Sequence, residues 1–254
     1  MRRRSPQYAA HHLAMSNNLK AIITGGGSGI GEATSRSMLE AGYEVISVGL
    51  REPDWTHERF TSLTCDLLDE NATAYLAAQL AEDHTVTHFV HNAGMIRHKA
   101  LEDVTVADLQ DLTQLHAAAA LIFTQALVPG MKERNFGRII FNSSRALLGL
   151  QSRTAYSYSK AGLVGMARTW ALELAPHGVT VNVLAPGPIL TDNFWDLVEK
   201  DSPQQHAYAA KVPVGRLGEP EDVANAILFF ADPKSGFVTG QTLFVCGGVS
   251  IFSG

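Results

Sequence analysis

The chain has 254 residues, 46% of them hydrophobic and 18% charged, with a formal net charge of −5. This composition supports a packed globular core and excludes a disordered or fibrous chain. The charge balance offers no general field for nucleic acid or anionic lipid, so neither is an expected partner. Cys65 and Cys246 are too few and too far apart for a disulfide framework or a spaced zinc site, so no metal is expected and a reducing, cytoplasmic setting fits best. No apolar run approaches the ~20 residues that span a bilayer, so membrane insertion is not expected.

The start, Met1-Arg2-Arg3-Arg4, has the charge of an export signal, but Pro6, Gln7, His11 and His12 follow where an apolar segment is required. Residues 1–17 therefore read as a flexible tail, and 18–254 as one domain. Ala21-Ile22-Ile23 predicts a strand, the glycines after it a turn, and 32–40 a helix stopped at Ala41-Gly42. Apolar runs at 45–48 and Phe89-Val90 flank a helical stretch at 72–81. A long helix over 106–131, a strand at 138–141, a helix at 156–175 and a strand at 180–184 follow. The series ends with a helix at 220–231 and a strand at 242–245. Strands separated by helices of this length predict a single-domain α/β fold, a doubly wound parallel sheet with helices on both faces. The stretch 190–218, broken by Pro203, Pro213, Gly215 and Gly218, follows a late strand at the carboxyl edge where such sheets bind ligands, and reads as a substrate-covering lid.

Thr24-Gly25-Gly26-Gly27-Ser28-Gly29-Ile30-Gly31 sits between the first strand and the first helix. There, glycines let a pyrophosphate approach the backbone and the helix N-terminus. A tight turn needs glycine in any case, but three glycines at this junction favour the phosphate reading. The T-G-x-x-x-G-x-G spacing is followed in order by Asn92-Ala93-Gly94, Ser143-Ser144, Tyr156-x-x-x-Lys160, and Pro186-Gly187 with Thr191. Together these resemble the short-chain dehydrogenase/reductase family, from residue 19 to the C-terminus.

The resemblance implies a Rossmann-type fold and an oxidoreductase that interconverts a secondary alcohol and a ketone by hydride transfer with NAD(P)(H). It implies that Gly25, Gly29 and Gly31 cradle the pyrophosphate, with Thr24, Ser28 and Ile30 in the same turn. Asp66, with Leu67 beside it, would meet the adenine. Asn92, Ala93 and Gly94 would back the adenosine ribose side. Pro186, Gly187, Ile189 and Thr191 would border the nicotinamide, Thr191 holding its carboxamide. Plainer readings exist: Asp66 could cap the helix that begins near Asp69, and Asn92 could only tie two strands.

A carboxylate at the end of the second strand would select NAD(H) through the ribose 2′-hydroxyl, whereas a nearby Arg accommodates a 2′-phosphate. Gly49 stands at that position and Arg51 follows, which tips the choice between NADP(H) and NAD(H) toward NADP(H). Ser28, rather than a basic residue in the glycine turn, weighs the other way.

Carbonyl reduction needs a proton donor at the oxygen. Tyr156 is that group by resemblance. A free tyrosine titrates near ~10, so a cation must favour its phenolate, and Lys160 lies one turn on along the same helix face. Ser144 would hold the substrate oxygen, while Ser143 caps a turn. Where the family carries a fourth catalytic Asn, His116 stands here. It could serve a proton relay, titrating near neutrality, or pack as an ordinary helix residue.

Two other departures matter. Val245-Cys246-Gly247-Gly248 replaces the common Asp-Gly-Gly, with Cys246 read as a small buried hydrophobe. Only sixteen residues separate Gly49 from Asp66, Pro53 and Trp55 among them, so a usual helix is lost. Met95, Ala146, Leu147, Pro188, Phe194 and Trp195 are the candidate pocket residues. With Arg97 and Arg145 nearby, they suit an apolar substrate bearing an anionic group.

A 3-oxoacyl thioester reductase is the alternative within the same chemistry. A lyase, dehalogenase or binding protein on the same fold is the alternative outside it, kept open by His116. The resemblance also implies a homotetramer paired along the Tyr156 helix, where Ala161, Gly162, Gly165, Met166 and Trp170 offer a packing face.

Overall fold

A computed structural model describes residues 19–195 and 198–251; the expected tail at 1–17 lies outside the described residues. Seven strands form one sheet: β1 (Lys20–Thr24), β2 (Glu44–Gly49), β3 (Phe60–Thr64), β4 (Val86–His91), β5 (Gly137–Asn142), β6 (Val179–Pro186) and β7 (Thr242–Val245). They are all parallel, in the order β3-β2-β1-β4-β5-β6-β7. The order reverses between β1 and β4. Crossovers leave to opposite faces on either side of that point, so a crevice opens at the carboxyl ends of these strands.

The helices are α1 (Gly29–Glu40), α2 (Glu70–Ala81), α3 (Val106–Thr113), α4 (Ala119–Glu133), α5 (Thr154–Leu174), α6 (Asp192–Trp195), α7 (Pro203–Ala210) and α8 (Pro220–Ala231). Helices α2, α4 and α5 cover one face over a core that includes Phe89, Phe123 and Phe141. Helices α1 and α8 cover the other, over Met38, Val45, Ile227 and Phe230. Every residue of β4, β5 and β6 is buried, the pattern of parallel strands covered on both faces.

The seventh strand, β3, has no apolar run in the sequence. Thr61 and Thr64 are exposed between partly buried Phe60, Ser62 and Leu63, because β3 is an edge strand with one neighbour. Between β2 and β3 no helix forms among the described residues, as the shortness of that segment predicts. Instead Trp55 stacks on Phe60, and the Arg36 guanidinium of α1 lies 4.3 Å from the Trp55 ring.

The predicted long helix is interrupted. Between α3 and α4 the backbone widens into a π-turn at Gln114–Ala118. The wide turn leaves the Leu115 carbonyl free to accept from His91 Nε2 at 3.1 Å. Residues 106–133 form a helical run long and apolar enough to cross a bilayer, which a scan for uninterrupted apolar residues does not register. Here Leu112, Phe123, Leu127 and Met131 are buried within the domain. Within the expected lid at 190–218, the described residues form α6, α7 and the turns that follow them.

Candidate functional site

The glycine turn closes on backbone. A Cβ on Gly31 would stand 1.8 Å from the Gly25 carbonyl oxygen, so no side chain fits there. Gly29 has φ +50° and lies against Thr191 of the segment after β6. Ser28 occupies the N-cap of α1 without a side-chain capping bond, so no hydroxyl answers the first amides of the helix. An uncapped helix start, lined by bare backbone, is a ready anion site and fits a pyrophosphate.

Gly25, Ser28, Gly29, Ile30, Asn92, Ala93, Gly94, Pro186, Gly187, Ile189 and Thr191 all border one cavity of about 630 Å³, within the usual range for small-ligand sites. Five expected cofactor residues lie outside its wall, Gly31 of the closed turn among them. Thr24 is wholly buried, its hydroxyl tying β1 to β4. Leu67 is buried beneath α2, Asp66 accepts from Leu68 N in a local turn, and Arg51 is exposed beyond the end of β2.

Ser144, Tyr156 and Lys160 converge on the inner end of the same cavity. Ser143 does not join them, because its hydroxyl donates to the Lys160 carbonyl at 2.7 Å. The Ser144 oxygen accepts from Ala146 N and faces the phenol. Burial pushes the Tyr156 phenol above its ordinary value, while Ser144 and the Arg153 guanidinium pull it back. Burial alone brings the Lys160 ammonium down to about 7. Its Nζ donates to the Asn142 carbonyl at 2.8 Å.

Sequence reasoning overlooked Asn142. Its Nδ2 donates to Asn92 Oδ1 at 2.7 Å, and Asn92 Nδ2 donates to the Gly25 carbonyl at 3.2 Å. One hydrogen-bonded line thus runs from the glycine turn to Lys160.

His116 sits on the π-turn behind this line, fully buried, its ring edge-on to Tyr156 at 5.7 Å. Ser159 Oγ donates to the Tyr156 carbonyl, so at 2.8 Å it accepts from His116 Nδ1–H. Nε2 is then an acceptor. It is buried with no hydrogen-bond partner among the described residues, beside Gly94 and Lys160. Burial and the Lys160 charge hold the imidazole well below its ordinary pKa. Of the two readings of His116, this burial favours the packed one over titration near neutrality.

The apolar part of the cavity wall differs from the residues expected to meet substrate. Phe194 and Pro188 border it, with Ile96, Leu150, Tyr208 and Val198. Met95, Leu147 and Trp195 do not, and Ala146 is buried in the short 3-10 turn after β5. Trp195 packs edge-on against Phe194. Arg97 is also turned away, because Asp108 and Asp111 on α3 bind its guanidinium. Arg145 does border the cavity, and so does Arg153, which the sequence gave no reason to single out.

The family model described as enoyl-(acyl carrier protein) reductase matches residues 25–250. The chain is 40% identical over 249 residues to the (2S)-[(R)-hydroxy(phenyl)methyl]succinyl-CoA dehydrogenase subunit BbsD of Thauera aromatica, covering 93% of this chain and 98% of that one. It is 32% identical to the 3-oxoacyl-[acyl-carrier-protein] reductase FabG of Vibrio cholerae, covering 90% and 96%. A crystal structure from Beutenbergia cavernae, assigned by name to NAD(P)-dependent gluconate 5-dehydrogenation, holds NADP at low occupancy. It superposes with a TM-score of 0.84 at 31% identity over 91% of this chain and 96% of that one. The chain belongs to the short-chain dehydrogenase/reductase family and is an oxidoreductase of that family.

Two outcomes are expected from this geometry. Gly31→Ala forces the turn open, so a variant that keeps its circular dichroism should lose NADPH affinity about tenfold or more, roughly 1.4 kcal/mol, by fluorescence titration. Unchanged affinity would contradict the cradle. Lys160 binds its proton more weakly folded (about 7) than unfolded (10.5), so between those pH values the unfolded chain holds more protons and stability rises with pH. In urea titrations from pH 7 to pH 10, Lys160→Met should flatten part of that rise; parallel curves would contradict the burial of the charge.

Proposed function

We propose that this protein uses NADP(H) in preference to NAD(H) to interconvert a secondary alcohol and a ketone on an acyl thioester. The observation that carries the reading is the convergence of Ser144, Tyr156 and Lys160 at the end of a cavity that begins at the glycine turn. A bound nicotinamide supplies or accepts the hydride at the carbinol carbon.

In reduction, the Tyr156 hydroxyl gives its proton to the carbonyl oxygen, and in oxidation the phenolate takes the proton of the alcohol. The Lys160 ammonium beside it lowers the cost of the phenolate. Ser144 donates to the reacting oxygen and fixes its position. His116 acts as a positioning group, its Nδ1–H bracing the α5 backbone through Ser159. Gly25, Gly29, Gly31, Asn92 and Thr191 are the residues that would hold the dinucleotide.

Support for the thioester comes from the relatives. The Thauera dehydrogenase and the Vibrio reductase both act, by their names, on acyl groups carried as thioesters. Gly49 at the end of β2 supports NADP(H), because no carboxylate there repels a 2′-phosphate and Arg51 stands exposed two residues on. The non-redox alternative leaves the glycine cradle and the buried Lys160 without a purpose. The segment 190–218 is read as the cover of the substrate end, through Phe194 and Tyr208. A homotetramer is supported by exposed Ala161, Gly162 and Gly165 on α5, where the two glycines face open space, and by exposed Phe237 and Leu243 at the β7 edge.

With acetoacetyl-CoA and NADPH carrying deuterium at nicotinamide C4, the label should appear on the carbinol carbon of the product. Tyr156→Phe should lower the rate roughly 10²- to 10⁴-fold with NADPH binding retained. Label lost to water, or a rate untouched by the substitution, would overturn the assignment.

A further inference from the structure

We propose that Arg153 is a recognition site for a free carboxylate on the substrate, one helical turn from the proton donor. The inference deepens the reading above and rests on it.

Arg153 is the N-cap residue of α5, only 7% exposed, and it borders the cavity. Its guanidinium makes one hydrogen bond, to the Ser152 carbonyl at 3.3 Å, and no ion pair among the described residues. Two cations of the neighbouring segment, Arg97 and Lys99, are neutralised. Asp108 and Asp111 hold Arg97, and Asp108 holds Lys99 at 2.8 Å. The side chain is largely covered while its charged end opens on the cavity, where an anion would supply the counter-charge that no described residue provides.

The backbone carries Arg153 to this position under strain. Ser152 has φ +58°, in the left-handed region that side chains disfavour. The strained turn is braced from outside: Lys99 N donates to the Ser152 carbonyl at 3.1 Å, and Lys99 and Arg153 form an isolated parallel bridge. Strain held by cross-bracing at a cavity wall is the arrangement expected where a side chain must be presented.

A second arginine, Arg145, also borders the cavity and makes no ion pair among the described residues. Among the described cavity residues Asp192 is the only carboxylate, and it is exposed. A chain of net charge −5 thus keeps a cationic cavity.

Arg153 stands at the start of the helix that carries Tyr156 three residues on, close enough for its charge to act on the phenol. An anion at Arg153 therefore lies within a few bonds of the carbon whose oxygen meets Tyr156. Apolar Ile96, Leu150 and Phe194 border the remaining space. The ligand class is an oxo- or hydroxyacyl compound with a free carboxylate near the reacting carbon and an apolar remainder.

Malonate and succinate probe this site directly, with dimethyl malonate as the uncharged control and inorganic phosphate as the competing anion. With NADPH saturating, a dicarboxylate should raise the melting temperature of the wild type saturably, and dimethyl malonate should not. Arg153→Met should weaken dicarboxylate binding tenfold or more, and Arg153→Lys should restore part of it. Equal binding by Arg153→Met and wild type, no dicarboxylate binding by the wild type, or tighter protection by phosphate would each overturn the proposal. NADPH titration and deuterium transfer on the same wild-type protein separate the two levels. Their failure removes the redox reading, whereas their success without a dicarboxylate effect removes only the subsite.

Discussion

Thr24 Oγ1, wholly buried at the end of β1, accepts from Asn92 N at 3.0 Å and Ala93 N at 3.1 Å and donates to His91 Nδ1 at 3.0 Å. Through these three bonds the end of β1 is fixed to the end of β4 at the point where the strand order reverses. Asn92 is thereby set to reach the Gly25 carbonyl, Asn142 to reach Asn92, and Lys160 to reach the Asn142 carbonyl. His91 continues the line to Leu115 on the π-turn, which in turn sets His116 behind the site. The glycine cradle and the proton-transfer end of the cavity are thus parts of one buried network, where each unmade bond would be expensive.

That network also explains how the domain tolerates charge in its interior. Lys160 is nearly fully buried without an acid beside it, and His88, His91 and His116 are buried as neutral rings. Backbone carbonyls answer several of these donors: Asn142 for Lys160, Leu115 for His91, Ala231 for His88. A carbonyl stabilises a proton without cancelling a charge, so the cavity keeps a positive potential that a phosphate, a phenolate or a carboxylate can use.

Much of this was legible in the sequence because it depends on local rules. Apolar runs marked six of the seven strands, since parallel strands buried on both faces need them. The glycine turn was legible because only glycine fits at Gly31, and Tyr156 with Lys160 because one helical turn brings them together. What escaped the sequence depends on contacts between distant segments. Edge strand β3 lacks an apolar signal because one side of it is open. The π-turn follows from His91 and Ser159 gripping successive residues of a helix that its own composition writes as uniform. Asp108 and Asp111 hold Arg97 through contacts that its own segment does not announce, and burial, which no local motif encodes, is what sets Arg153 apart.

The central claim is that the β1–β4 crevice binds a nicotinamide dinucleotide in the folded protein. Titration with NADPH and NADH, followed by melting temperature and nicotinamide fluorescence, tests it most directly, because a ligand of the native state must stabilise that state. The account predicts saturable stabilisation by NADPH at lower concentrations than by NADH. Absence of stabilisation and of any fluorescence change with both would contradict it.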